Sequence, residues 1–390
     1  MSIARLDFLL GTMSAAAATT VQLPFANGTR PLVAFPQKRD LIMLTPRPPQ
    51  LETPFAIFDR GVLTPNDAFF VRWHLAGIPT TVDGATHRIK VHGSVKRPLS
   101  LSVEDLRTKY ERVEIIAVNQ CSGNSRGLFA PRVPGGQWDN GAMGNARWTG
   151  ARLLDVLKSA GLQESAVQIR FHGLEKPVLP TTPPFIKALS IDDLDPNMLI
   201  AYEMNGEPLP LLNGYPVRLV VPGWYATYWM KMLAEIEAID TVDDNFWMKT
   251  AYRIPDTPGN TVTPTDKGYP TIPINKMTIR SFITNVTNGA TLHPGTQTIR
   301  GIAFTNGERL KKVDFSSDGG TTWRAATLGP NYGNYSFRQW EAPLRAERGK
   351  SYVLACRATA VDGDTQTTVP VWNPGGYLRN VIETYTVGVA

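Results

Sequence analysis

The chain has 390 residues, 42% hydrophobic, 9% aromatic and 19% charged, which is enough for two or three ordinary cores and excludes a largely disordered chain. Its 33 glycines and 31 prolines argue for many turns and against a helical bundle. No stretch approaches the ~18 uninterrupted apolar residues of a membrane span. Lys+Arg 40 against Asp+Glu 34 leaves +6, not gathered into runs, so small anions are better partners than nucleic acid.

At the N-terminus, Arg5, the apolar Phe8-Leu9-Leu10 and the run Ala15 to Ala18 read as an export signal over residues 1–25. The pattern resembles a twin-arginine leader, although only Arg5, preceded by Ala4, stands in the paired position. A periplasmic location is therefore expected. Residues 26–65 carry Pro31, Pro36, Pro46, Pro48, Pro49 and Pro54 and read as an extended segment over the surface. Next comes Phe69-Phe70-Val71-Arg72-Trp73-His74. As a strand it would set Phe69, Val71 and Trp73 on one face and Phe70, Arg72 and His74 on the other. Arg72 and His74 would then project from an aromatic wall and suit an oxyanion, although an edge strand with solvated Arg and His fits the same residues.

Ser102-Val103-Glu104-Asp105 has the form of a capping box opening a helix through Tyr110. Val113 to Val118 is a strand candidate that runs into Cys121-Ser122-Gly123-Asn124-Ser125-Arg126. A thiol at a strand end, five residues before an arginine, is placed either to act as a thiolate or to be an inert loop cysteine. Thr149 is expected to cap a helix carrying Leu153, Val156, Leu157 and Ala160, closed by Gly161. Val167 to Phe171 and Val217 to Val221 read as strands, Ser190 as the start of a third short helix, and Asn205-Gly206 as a hairpin turn. Helices and strands without a βαβ repeat indicate an α+β domain over 26–265.

The turn-rich stretch from Arg253 to Pro273 marks a boundary. In 266–390, short alternating strands recur at 278–283, 298–303, 312–315 and 352–358, with a turn at Ser317-Asp318-Gly319-Gly320, the pattern of an immunoglobulin-like sandwich. Cys356 lies in such a strand and reads as a small buried hydrophobe, so a disulfide to Cys121 is not favoured. With two cysteines and no C-x-x-C-H, the chain is expected to house no covalent haem.

Taken in order, Phe70 to His74, Cys121 to Arg126, Ala146-Arg147-Trp148-Thr149-Gly150-Ala151, Ala201 to Gly206, Gly214-Tyr215-Pro216-Val217-Arg218 and Val371-Trp372-Asn373 resemble the sulfite oxidase family of molybdenum enzymes, most closely its exported bacterial sulfite dehydrogenases. The resemblance implies a molybdopterin-binding domain followed by a sandwich through which many members dimerise. It implies Cys121 as the thiolate on molybdenum, Arg72 and Arg126 as substrate-side arginines, Trp138 in the anion pocket, and Tyr252 beside the metal oxo group. Cofactor contacts would fall on Phe70, Val71, Arg72, Trp73, His74, Glu175, Asn213, Arg218, Trp229, Met230 and Lys231. Two departures are visible. Asn213 stands where animal members have histidine, and Gly375 stands in the place of a third arginine, for which Arg379 could substitute. The implied reaction is oxidation of sulfite to sulfate, with electrons leaving to a c-type cytochrome. The alternatives are a related reductase of nitrate or sulfoxides and a cofactor-free anion-binding protein.

Overall fold

Strands dominate the molecule. The computed structural model describes residues 20–23 and 28–390, and among them only Val103–Lys109, Leu153–Ala160 and Phe246–Lys249 are α-helical. The fold class is α+β, with the balance far toward β. Most of the leader-like stretch lies outside the described residues; Thr20–Gln22 pairs antiparallel with Thr29–Val33.

Local sequence chemistry explains the helix ends. The Asp105 amide donates to Ser102 Oγ at 3.0 Å, and the Ser102 amide donates back to Asp105 Oδ2 at 2.9 Å, a complete capping box. Leu153, Val156, Leu157 and Ala160 are buried on one face of the second helix, and Gly161 closes it with φ 69. The expected cap at Thr149 is not formed. Thr149 lies inside the strand Met143–Arg152, paired with Glu114 on one side and Glu203 on the other, and the helix begins after Arg152 with no side-chain cap. Ladder bonds on both sides hold Thr149 more firmly than a cap bond would. Ser190 precedes only a single 3-10 turn, Ile191–Asp193.

The proline-rich segment also differs from expectation. Leu41–Pro46 and Pro49–Glu52 form a hairpin that continues Thr29–Val33 and pairs onward with Val71–Arg72. Leu41 and Leu51 are fully buried. Pro46 and Pro49 face each other at the hairpin end, where a missing N–H costs the ladder little, so proline there is compatible with a sheet.

The sheet that carries the site runs Glu207–Pro208, Leu199–Met204, Met143–Arg152, Val113–Gln120, with Arg218–Val220 also paired to Leu199–Met204. Asn205 (φ 55) and Gly206 (φ 83) make the expected two-residue turn. Beside it lies a sheet in the order Ile186–Ser190, Gln168–Gly173, Leu233–Ile239, Ile89–Gly93, Leu99–Leu101, with one parallel pair at its centre. The stretch from Arg253 to Pro273 is pinned at its ends by the ribbon Arg253–Pro255 with Thr271–Pro273.

Beyond it, two sheets enclose a separate apolar cluster. One contains Arg280–Ile283, Gly295–Phe304, Arg338–Ala346 and Thr327–Leu328. The other contains Thr291–Leu292, Thr384–Val389, Ser351–Ala360, Leu310–Ser316 and Arg324–Ala325. Ile283, Ile299, Val313, Phe315, Trp340, Leu354, Cys356 and Val387 fill the space between them. Burial pushes the Cys356 thiol up to about 12, as expected of a core residue. Cys121 and Cys356 are both free and belong to different clusters.

Candidate active site

The strand Val113–Gln120 is paired along its whole length with Met143–Arg152 and delivers Cys121 to the end of the sheet. The Cys121 amide donates to the Ala142 carbonyl at 2.9 Å. The turn that follows is tied to the 138–142 segment: Ser125 N to Asp139 O at 2.7 Å, Gly127 N to Trp138 O at 2.9 Å, and Ala142 N to Asn124 Oδ1 at 2.9 Å. A Cβ on Gly123 would lie 2.5 Å from the guanidinium carbon of Arg126, so a side chain there would push that guanidinium aside.

Cys121 opens into a recess, with about 420 Å³ of atom-free space counting its mouth to solvent, walled by Phe70, Arg72, His74, Asn213, Arg218, Lys231 and Tyr252, and by Asn119, Ser122, Leu212, Ala226 and Thr227. The alternation is as expected over residues 70–74 but not at Phe69, which stacks on Phe70 with ring centroids 5.5 Å apart and packs in the other cluster with Trp148. Phe70, Arg72 and His74 face the cavity, while Val71 and Trp73 pack with Leu41, Leu51 and Met232. The regular strand covers only Val71–Arg72, since just these two pair with Gln50 and Leu51.

Several expected site residues do not reach the cavity wall. Val71 and Trp73 point into their own cluster, and Trp229 and Met230 are core side chains. Trp229 acts through its carbonyl, which accepts from Arg218 Nη2 at 3.2 Å. Trp138 is 1% exposed, and its part is to hold the Cys121 turn through its carbonyl. Glu175 lies beneath the floor and accepts the His74 and Leu75 amides at 3.2 and 2.9 Å. Arg126 leaves the turn sideways, donating through Nε to the Gly375 carbonyl at 3.0 Å. Arg379 does not take the place of a pocket arginine: its guanidinium grips Glu383 at 3.2 Å through Nε and Nη2. Asn213 bridges two elements, accepting from Lys38 Nζ and donating to the Phe70 carbonyl at 3.1 Å.

The cavity is strongly cationic for a buried space. Desolvation lowers Lys231 to about 7 and Arg218 to about 9. Lys38 and Lys187, each buried behind the wall, are lowered by the same cause to about 7. His74 is held well below its ordinary value by burial and then by Arg72, Lys231 and Lys187, so its imidazole is neutral. The ring stacks on Phe185 at 3.4 Å, and Nε2 meets the Tyr252 hydroxyl at 2.6 Å. Its other nitrogen, Nδ1, is left without a hydrogen-bond partner. Burial pushes the Tyr252 phenol up, so it stays protonated.

His74 Nδ1 is one of a set. Arg72 Nη1, Asn119 Nδ2, Ser122 Oγ, Arg218 Nε and Thr227 Oγ1 are also buried without partners, and all six belong to residues of this one wall. Buried polar groups are normally satisfied, so a convergent set of orphans marks the outline of a missing guest. Donors with surplus positive charge around a thiol suit an anionic, heteroatom-rich group with a soft metal, and a molybdopterin with its phosphate fits that description. Sequence reasoning missed Asn119, Ser122, Thr227, Lys38 and Lys187. Lys187, flanked by Ile186, Ala188 and Leu189 in a strand, carried a readable signal: a lysine that must be buried.

Comparison with known proteins agrees. Residues 75–247 match the family model of the oxidoreductase molybdopterin binding domain, and residues 271–388 match the Mo-co oxidoreductase dimerisation domain. Sulfite oxidase of Gallus gallus is 33% identical over 389 residues, covering 95% of this chain and 80% of the relative. The mitochondrial sulfite oxidase of Homo sapiens is 35% identical over 355 residues, 86% of this chain and 63% of its own length. Among solved structures, the sulfane dehydrogenase SoxCD from Paracoccus pantotrophus superposes with a TM-score of 0.74 over 88% of this chain and 85% of that one, at 23% identity, a likeness of fold. With the thiol, the cationic wall and both domains in place, the chain belongs to the sulfite oxidase family and is a molybdenum-dependent oxidoreductase.

Proposed function

We propose that this chain oxidises sulfite to sulfate and passes the electrons one at a time to a separate c-type cytochrome, working in the periplasm after export. The observation that carries the substrate class is Arg72: its Nη1 is buried without a partner in the cavity that also presents Cys121 and Tyr252. A guanidinium with an unpaired, buried nitrogen suits an oxyanion. The names of the relatives support sulfite as that anion. The sandwich, which matches a dimerisation domain, supports a homodimer.

In this scheme Cys121 is the protein ligand of the metal, and Arg218, Lys231, His74 and Asn213 hold the pterin and its phosphate. When bound, the cofactor supplies an oxygen to sulfur and takes up the electron pair. Overall, sulfite gains one oxygen from water and releases two protons and two electrons. Arg72 orients the anion, and Arg126, which stops short of the wall, acts through charge alone as sulfate forms. Tyr252 keeps its proton and is fixed by His74 Nε2. Trp138 supports the turn that carries Cys121.

The test is metal analysis followed by turnover. Protein from a cofactor-competent host should contain equimolar molybdenum and reduce cytochrome c in the presence of sulfite, more slowly as salt rises and weakens a charged encounter. Rapid reduction of nitrate or sulfoxide without sulfite turnover would replace this function with a reductase, and metal-free protein would point to a binding module.

A further inference from the structure

A second phenol stands beside Tyr252. Tyr377 lies nearly parallel to it, with ring centroids 5.8 Å apart and planes 15° from one another. The guanidinium carbon of Arg126 is 5.1 Å from the Tyr377 ring centre, and that of Arg72 is 6.0 Å from the Tyr252 ring centre. Two cations and two phenols are thus stacked together. The charged groups that act most strongly on the Tyr377 hydroxyl are Arg126, Arg72 and Cys121, and of these Arg72 and Cys121 line the cavity. Burial, the largest influence, pushes its pKa up, so the hydroxyl is a proton donor at neutral pH.

The chain around Tyr377 is built to hold it there. The fully buried Asn373 takes the Tyr377 amide on Oδ1 at 3.1 Å and donates from Nδ2 to the Tyr377 carbonyl at 2.9 Å. Gly375 has no room for a side chain, since its Cβ would lie 2.3 Å from Cε2 of Tyr377. A Cβ on Gly376, whose φ is 61, would lie 2.8 Å from Cγ of Arg126. The two glycines therefore clear the space that the Tyr377 ring and the Arg126 side chain use. The other cation of this segment, Arg379, is committed to Glu383.

We propose that Tyr377 is a further anion-binding residue of this site: its hydroxyl, held beside Arg126 and parallel to Tyr252, donates to an oxygen of the bound oxyanion. It is a neutral donor, so it contributes direction without a third full charge. A pocket with two arginines and two phenols holds a doubly charged product less tightly than one with three arginines. This favours release of the more highly charged anion. The proposal rests on the reading of the cavity as an oxyanion pocket, and its substrate is taken from the sulfite function above.

Tyr377→Phe tests it, because the ring, its stack and its contact with Arg126 are kept while the donor is lost. In the molybdenum-loaded enzyme, the variant should raise the KM for sulfite about tenfold with kcat much less affected, the cost of one hydrogen bond to a charged group. Calorimetric titration of the resting enzyme with sulfate should show a similar weakening, at unchanged molybdenum content. Tyr377→Leu, which also removes the ring, should weaken both further. If Tyr377→Phe binds sulfate as the parent does and its KM does not move, Tyr377 is a packing residue and the proposal falls, whatever Tyr377→Leu does. If the parent does not turn over sulfite, the function proposed above fails separately, and the sulfate titration still decides the role of Tyr377.

Discussion

Tyr252 holds a backbone conformation, φ 56, that non-glycine residues rarely adopt, and its carbonyl is kept in place by the Ile274 amide at 2.7 Å. The strained backbone directs the phenol to His74 and into the cavity wall. Arg72 enters the same wall with one nitrogen unpaired, so its worth is to be measured on the anion rather than on the fold. Arg72→Met should lower kcat/KM for sulfite by about 2–4 kcal/mol, roughly 30- to 1000-fold, with little change in the unfolding midpoint. Kinetics equal to the parent's would remove Arg72 from the site. Cys121→Ser should abolish turnover while leaving the far-UV spectrum and urea midpoint nearly unchanged, because the side chain is nearly isosteric and the turn is held by backbone bonds. A variant that retained turnover would show that the thiolate is not needed.

At the level of elements, the capping box predicts its own energetics. Ser102→Ala removes the bond from the Asp105 amide and leaves that carboxylate without its hydroxyl partner, so the domain should lose about 1 kcal/mol in urea unfolding. A loss below a few tenths would mean that packing of the buried Leu106, not the cap, fixes this helix. That helix was legible because its signal is local, as were the Asn205-Gly206 turn and the closing Gly161. The alternation at Phe70, Arg72 and His74 was legible for the same reason, since pleat geometry needs no knowledge of the partner strand. What failed depended on partners distant in sequence. Thr149 looked like a cap until both neighbouring strands claimed it, and the 26–65 prolines looked like surface coil until the hairpin and Val71–Arg72 paired. Arg338–Ala346 and Thr384–Val389 went unread, although each pairs along the length of a neighbour in its own sheet. Lys38 reaches the site across a separation of 175 residues to Asn213, which no local pattern encodes.

The two domains meet at the Cys121 turn. Arg280, fully buried in the first strand of the sandwich, donates to Ser125 Oγ at 2.9 Å and lies 3.4 Å from Glu383, while the Val118 amide donates to the Tyr335 carbonyl at 2.9 Å. The sandwich therefore braces the loop that presents the thiol, and the cavity sits in a scaffold anchored from both sides. Such a scaffold cannot relax easily around buried positive charge, and this gives the molecule a characteristic pH response. Lys38, Lys187 and Lys231 have folded-state values near 7 against 10.5 for the free side chain, all first because of desolvation. In this range the unfolded chain binds protons that the folded chain does not, so stability from these groups is present above about pH 10.5 and is lost as pH falls through about 7. Cofactor-free protein should accordingly lose stability from pH 9.5 to pH 7, by about 2–4 kcal/mol once partial relaxation and the opposing proton uptake of Glu52, raised by burial to about 8, are allowed for. An anion in the cavity favours the charged lysines, so millimolar phosphate, or the loaded cofactor, should flatten the slope. Lys231→Met should flatten it too, because it removes one of the three desolvated lysines. The measurement is urea unfolding of the cofactor-free protein at several pH values, with and without phosphate. A stability that stays level from pH 9.5 to 7, or that falls equally in Lys231→Met, would show that these lysines are charged in the folded state without cost and that the cavity is not waiting for an anion.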